Sequence, residues 1–118
     1  MKIDSATFGS ITIDGKVYNH DVLIRMSEKV EKRKKKLSKR IYGTSHTVSE
    51  DEAKFVIEKG CKELIFGTGQ DGMASLSPEA AAFFDKRGCK VIAEPTPRAI
   101  RIFNKSKKAK VGLFHVTC

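Results

Sequence analysis

Residues 49–66, SEDEAKFVIEKGCKELIF, return 28 positions later as SPEAAAFFDKRGCKVIAE over 77–94. Ser49 matches Ser77, Ala53 matches Ala81, Phe55 matches Phe83, and Gly60-Cys61-Lys62 matches Gly88-Cys89-Lys90. Each copy predicts a helix followed by a strand. The serine is an N-cap, because its hydroxyl can satisfy an amide of the first turn. In the first copy Glu52 completes a capping box; in the second Pro78 takes the first helical position and Glu79 follows. Each amphipathic stretch then runs to a glycine suited to a left-handed C-terminal cap, and a short apolar strand follows. A looser third unit begins at Thr96-Pro97, runs as helix through Asn104 and ends in the strand KVGLFHVT. Helix alternating with strand constrains the fold strongly: parallel strands need crossovers, and the helices must cover a sheet. The expectation is an α/β protein with a central mixed, mainly parallel sheet.

Upstream the pattern changes to β. In FGSITIDGKVYNHDVLI, β-branched and aromatic residues flank Asp14-Gly15, the pair that favours a two-residue hairpin turn. Asn19-His20-Asp21 reads as a second turn into VLIR. An N-terminal antiparallel β-hairpin layer is therefore expected beside the α/β unit. The segment 25–40 stays open between helix and strand, because Val30, Leu37 and Ile41 form only a thin stripe. With 118 residues, residues 1–118 are expected to form a single domain with a real core.

Composition narrows the function classes. Of the residues, 40% are hydrophobic and 31% charged, a globular balance, and no apolar run reaches the ~18 residues of a membrane span. The N-terminus lacks the apolar core of a secretory signal and the Arg-rich pattern of an import peptide, so a cytoplasmic protein is expected. Cys61, Cys89 and Cys118 form no C-x-x-C pair, which points to reduced thiols rather than a disulfide framework or zinc knuckle. Cys61 and Cys89, each at the start of an apolar strand, read as core residues. No cofactor and no metal are expected.

Charge is concentrated. Nine of the basic residues lie between Arg25 and Arg40, opposed there by Glu28 and Glu31 alone, so this segment carries +7 of the formal +9. Such a patch concentrates anionic partners. Lys32, Arg33, Lys34, Lys35, Lys36, Lys39 and Arg40 are accordingly candidates for nucleic-acid contact, with Lys105, Lys107, Lys108 and Lys110 as a second patch. A merely solvated face has the same composition.

The stretch IFGTGQDGM holds Gly67, Gly69 and Gly72 at the spacing of a dinucleotide-binding turn. That turn works by opening directly into a helix, whose free amides receive the pyrophosphate. Here the next start signal, Ser77-Pro78-Glu79, comes too late, and no Lys-Ser/Thr pair follows to make a Walker loop. A different use is open. In a parallel sheet, ligands gather beyond the carboxyl ends of the strands, where GTGQDG and EPTP should face each other. Gly67, Thr68, Gly69, Asp71 and Gly72, with Pro95, Thr96 as a helix cap, Arg98 as a supporting cation and His115, are the expected crevice for a small anion or an acidic protein segment. The same glycines equally suit a tight corner. His46, His115 and Asp71 are the residues an enzyme would use as acid or base, and Cys118 a thiol a histidine could activate, but no spacing brings a nucleophile, a base and an orienting group together.

FGSITIDGKVY with the following Asp21, then GTSH, IFGTGQDG, EPTPRAIRIFN and the terminal FHVTC together resemble the Mth-domain family of small proteins. Relatives include the adipogenesis-associated Mth-domain protein and an assembly factor for respiratory complex I. The resemblance covers almost the whole chain and is nearest to short prokaryotic, archaeal members made of the domain alone. It implies a three-layer α/β fold and a binding or assembly role rather than catalysis. The motif positions it maps are Gly67, Thr68, Gly69, Pro95, Thr96, Asn104 and His115. The lysine-rich run 32–40 departs from the eukaryotic relatives, where this stretch is often aromatic.

Overall fold

The computed structural model describes residues Met1–Cys118. In chain order the elements are β1 (Ile3–Thr7), β2 (Ser10–Ile13), β3 (Lys16–Tyr18), β4 (Val22–Ile24), β5 (Val30–Lys32), α1 (Lys36–Tyr42), β6 (Thr47–Val48), α2 (Glu50–Val56), β7 (Glu63–Thr68), β8 (Ser75–Leu76), α3 (Pro78–Lys86), β9 (Lys90–Glu94), α4 (Thr96–Lys105) and β10 (Lys110–His115).

The three helix–strand units put β10, β7 and β9 side by side and parallel, and β4 and β5 extend the sheet antiparallel in the order β5-β4-β10-β7-β9. A strand covered on both faces needs a continuous apolar run. That is why ELIFGT and KVGLFH lie at the centre, whereas KVIAE, with exposed Lys90 and Ala93, forms an edge. Alternation then divides the core. Leu64 and Phe66 of β7, Val111 and Leu113 of β10 and Leu23 of β4 face Ala53 and Val56 of α2 and Ala80, Phe83 and Phe84 of α3. Ile65, Phe114, Val22 and Ile24 face the other way, onto Ala99, Ile100 and Phe103 of α4 and onto Ile3, Ile11 and Ile13 of the hairpin strands. Each of these Val, Leu, Ile and Phe side chains contributes about 1.5–3 kcal/mol on burial.

The hairpin forms at Asp14-Gly15 as the sequence predicts. Both residues are left-handed, φ 48° and 79°, which is what a primed turn requires and what Gly tolerates best. β1, β2 and β3 make an antiparallel three-stranded sheet. Asn104 on α4 ties it down: its Oδ1 accepts from the Ile3 amide and its Nδ2 donates to the Ile3 carbonyl, both at 2.9 Å.

Both serine caps are present. Ser49 accepts from the Glu52 amide at 3.1 Å and Ser77 from the Ala80 amide at 3.0 Å. Two local expectations change. The Glu52 carboxylate does not reach back to Ser49 to complete a capping box, because it is drawn inward to Arg33. And α2 ends at Val56 rather than near Gly60, its last carbonyls being taken by Arg25, whose Nη1 donates to Phe55 and Val56 at 3.0 and 3.2 Å. The ambiguous segment 25–40 is both things in turn: strand β5, then helix α1. Its apolar stripe is thin because α1 presents a buried serine, Ser38, to the interior while Ile41 stays exposed.

Candidate functional site

The loops after β7 and β9 do face each other, as the parallel topology demands, but they meet without a gap. The Gly69 amide donates to Thr96 Oγ1 at 2.9 Å, the Thr96 amide to the Gly69 carbonyl at 2.9 Å, and the Thr96 hydroxyl to the His115 carbonyl at 2.6 Å. Thr96 is therefore a staple between three strand ends, not a cap; the N-cap of α4 is Pro95, with no side-chain hydrogen bond. The remaining loop amides are also taken. Gln70 donates to the Thr117 carbonyl at 2.7 Å, while Asp71 and Met73 donate to the Cys118 carbonyl at 3.2 and 3.1 Å.

Gly67 and Gly69 permit close approach, as expected, but it is the protein itself that approaches. A Cβ on Gly69 would lie 2.3 Å from the Cys118 carbonyl carbon, and one on Gly67 would lie 2.7 Å from Phe114 and 2.8 Å from the Thr96 hydroxyl. Thr68 is buried, Asp71 and Gly72 are exposed, and the Gly72 Cα faces Pro95. Arg98 points away into solvent, paired with Glu94 at 3.6 Å. Where an anion crevice was expected there is a corner occupied by residues 117–118: the Gln70, Asp71 and Met73 amides hold this segment, and those of Gly69, Gly72 and Thr96 are bonded within the corner itself.

His115 leads into a buried polar chain that the sequence did not disclose. Its Nδ1 lies 2.8 Å from Asp21 Oδ2 and its Nε2 3.1 Å from the Thr117 hydroxyl, with the His46 ring edge-on at 5.4 Å. Asp21 also accepts from the Val116 amide at 2.8 Å and from Arg33 Nη1 at 2.9 Å. The Arg33 fork then grips Glu52 through Nε at 2.6 Å and Nη2 at 3.0 Å, and Ser38 donates to the same carboxylate at 2.5 Å. Asp21, Arg33, Glu52 and His115 are all 4% exposed or less. An acid, an imidazole and a hydroxyl in series resemble a catalytic relay. Here both ring nitrogens are engaged, the residue is 1% exposed, and His115 anchors the end of β10.

Burial raises the Asp21 carboxyl, but hydrogen bonds from His115 and the Val116 amide, with the neighbouring positive charge, outweigh it and hold it down at about 2. An unfolded Asp titrates near ~3.9. The folded value is the lower one, so the stabilisation is complete above the unfolded value and is lost as the pH falls from ~4 through the folded value. It amounts to about 2 kcal/mol. Urea midpoints of the wild type and Asp21→Asn are expected to differ widely at neutral pH and converge as the pH approaches 2. A difference that stays constant over that range would contradict this account.

The basic segment is sorted by the fold. Arg33 leaves the expected nucleic-acid set altogether, being committed to Asp21 and Glu52. Arg40 pairs with Asp51 at 3.0 Å, and Arg25 and Lys29 pair with Glu31 at 3.3 and 3.9 Å. Lys32, Lys34, Lys35, Lys36 and Lys39 have no carboxylate within 4.0 Å, and together with Arg33 they line one open depression of about 640 Å³. The second patch is weaker, since Lys110 is spent on the Phe103 and Ser106 carbonyls at 2.7 and 2.6 Å. One signal could have marked Arg33 beforehand: in KVEKRKKKL it is the lone arginine among lysines, and a rigid fork is the cation suited to a buried carboxylate pair.

No helix is long and apolar enough to cross a membrane. Over its whole length the chain is similar to a conserved hypothetical protein of Pyrococcus horikoshii OT3, with 37% identity, full coverage of both chains and a TM-score of 0.93. It is also similar to the protein designated MT938, with 28% identity, 99% of this chain and 98% of that one covered, and a TM-score of 0.85. A Xanthomonas campestris protein at 14% identity, with 97% and 83% of the two chains covered and a TM-score of 0.74, shares the fold. No curated protein matches significantly. The family model described as "Protein of unknown function (DUF498/DUF598)" matches residues 3–113, and the chain belongs to that family.

Proposed function

We propose that this chain is a non-enzymatic binding domain that holds the phosphate backbone of a nucleic acid in the lysine-lined depression between β5 and α1. The observation that carries this reading is the set of five lysines, Lys32, Lys34, Lys35, Lys36 and Lys39, around one hollow with no acid to neutralise them. Gathering like charges is unfavourable, and a polyanion relieves it. Lysines act as point charges rather than forks, which suits contacts to phosphates and not to particular bases. Of the nearby aromatics, Phe55 is already covered by Lys34 and Arg25, 4.5 and 4.8 Å from its ring centroid, and Tyr42 has its hydroxyl 3.3 Å from Glu79, so neither offers a free stacking platform of the kind single-strand binders use. The binding is therefore sequence-independent.

The same proposal takes residues 1–118 as one three-layer domain with a cytoplasmic role, and keeps the resemblance to Mth-domain assembly proteins. In support, the radius of gyration is 12.7 Å, against about 13 Å for a single compact domain of this length, and a separate apolar cluster lies on each face of the central sheet. A small anion at Gly67–Gly72 ranks behind, because it would have to displace residues 117–118.

A salt titration of binding to mixed RNA and DNA tests the reading. Five phosphate contacts on duplex DNA predict that log K falls with log salt at a slope of about −4.5, and replacing Lys34, Lys35 and Lys36 by Gln should flatten it by about 3. Binding that ignores salt, or ignores the triple replacement, would sink the nucleic-acid reading. Binding to an acidic peptide with none to nucleic acid would transfer the depression to a protein partner.

A further inference from the structure

Cys61 and Cys89 hold the same place in the two copies of the helix–strand repeat, each preceded by Gly and followed by Lys at the turn into a strand. The strands they lead into, β7 and β9, are parallel neighbours paired Glu63 with Lys90. The pairing is one residue off the repeat alignment, so the cysteines sit diagonally across the two strand entries, and their Sγ atoms lie 3.4 Å apart. The backbone beneath them is fixed, since the Lys90 amide donates to the Lys62 carbonyl at 2.9 Å. At 3.4 Å the sulfurs are already in van der Waals contact, and a disulfide at ~2.05 Å requires them to close by roughly 1.4 Å.

Both thiols are buried, but each borders its own surface depression. Cys61 lines one of about 380 Å³ with Glu58, Lys59, Gly60 and Arg87. Cys89 lines another of about 460 Å³ that includes Leu76, Ala81 and Asp85. A small oxidant in either depression lies beside one of the two cysteines. The two thiols are also unequal. Cys61 is held down at about 7, chiefly by the hydrogen bond from Cys89, while that same bond, with burial, pushes Cys89 up. Cys61 is thus the more readily ionised of the two: its thiol donates to the Glu63 carbonyl at 3.1 Å in the resting state, and once that proton is lost the thiolate is the nucleophile that disulfide formation needs.

We propose that Cys61 and Cys89 are an oxidisable dithiol that closes, under a peroxide, to a disulfide joining the two repeats. The Cys61 thiolate attacks a peroxide oxygen, the O–O bond breaks, and a sulfenic acid forms with release of one water after protonation. The Cys89 sulfur then attacks Cys61 Sγ, its proton leaves with the departing hydroxide, and the second water is released. Two thiols are oxidised and one hydrogen peroxide is reduced to two waters.

The test is hydrogen peroxide treatment of the full wild-type chain, then alkylation and non-reducing peptide mass mapping. The expected product is a Cys61–Cys89 linked peptide lighter by two hydrogens, with Cys118 still free to alkylate. Its rate of formation should rise as the pH passes through about 7. Cross-linking a loop of this length should raise the Tm by roughly 10 °C, reversibly on reduction. In Cys89→Ser, Cys61 should proceed to the sulfinic acid, because no second thiol intercepts the sulfenic acid. Met73, 62% exposed, serves as the dose marker. If Met73 is fully oxidised while Cys61 and Cys89 remain alkylatable on unfolding, or if only dimers linked through Cys118 form, the proposal is overturned.

Discussion

Arg33→Met is expected to cost about 3–5 kcal/mol of folding stability, and Lys39→Met, six residues on, less than about 0.5 kcal/mol. Both remove one positive charge from the same basic segment, so a purely surface account predicts equal effects. The difference lies in what each leaves behind. Lys39 is exposed and touches no acid. Arg33 carries four hydrogen bonds to Asp21, Glu52 and the Ser45 carbonyl, and its loss strands two buried carboxylates in a medium that solvates charge poorly. Urea denaturation measures both variants directly. A further variant separates pairing from packing: Asp21→Asn and Glu52→Gln added to Arg33→Met should recover much of the loss, since the unpaired charges are gone. If Arg33→Met alone is tolerated as well as Lys39→Met, the buried chain does not hold the fold as described.

The second large effect is expected at the glycine corner. Gly69→Ala should destabilise by about 3 kcal/mol, combining the strain of a left-handed backbone with overpacking. Gly69 has φ +106° and its new Cβ would overlap the Cys118 carbonyl carbon, a backbone atom that no side-chain rotation can move aside. Residues 117–118 must leave. The Gln70, Asp71 and Met73 amides would then lose their acceptors, so hydrogen exchange at these three should accelerate more than at the β7 amides. Gly72→Ala is the control. Its φ is also positive, +69°, but the nearest atom to an added Cβ is Pro95 Cγ at 3.4 Å, so it should cost about 1 kcal/mol. Unchanged protection of the three amides in Gly69→Ala would show that the terminal segment does not occupy the corner. The same variant bears on ligand binding, because it would empty the corner of its own chain.

Local signals carried the elements. Ser49 and Ser77 announce their helices by a serine whose hydroxyl has one good use at that position, and Asp14-Gly15 announces its hairpin because few residue pairs accept two consecutive left-handed conformations. The parallel core followed from the repeat, since two copies of one helix–strand unit pack best as neighbours. The short pair β6 and β8 was invisible, because two residues are too few for any periodicity to register. Segment 25–40 was illegible for a different reason: it anchors itself by Arg33 and Ser38, and polar residues used as core leave no hydrophobic pattern to count.

The candidate site divides the same way. That the glycine loop and the Pro95-Thr96 turn face each other was readable, because it depends only on strand order. What stands between them was not, since it turns on residues 117–118, almost fifty positions downstream of the loop. The sequence by itself determined the three helix–strand units, the Asp14-Gly15 hairpin, the charge of the basic run and the equivalence of Cys61 and Cys89, all of which depend on residue type and near-neighbour spacing. Only the tertiary structure decided which cation is buried, which five lysines share a hollow, what fills the glycine corner and how near the two sulfurs lie. Those depend on contacts between distant segments, whose distances no local pattern encodes.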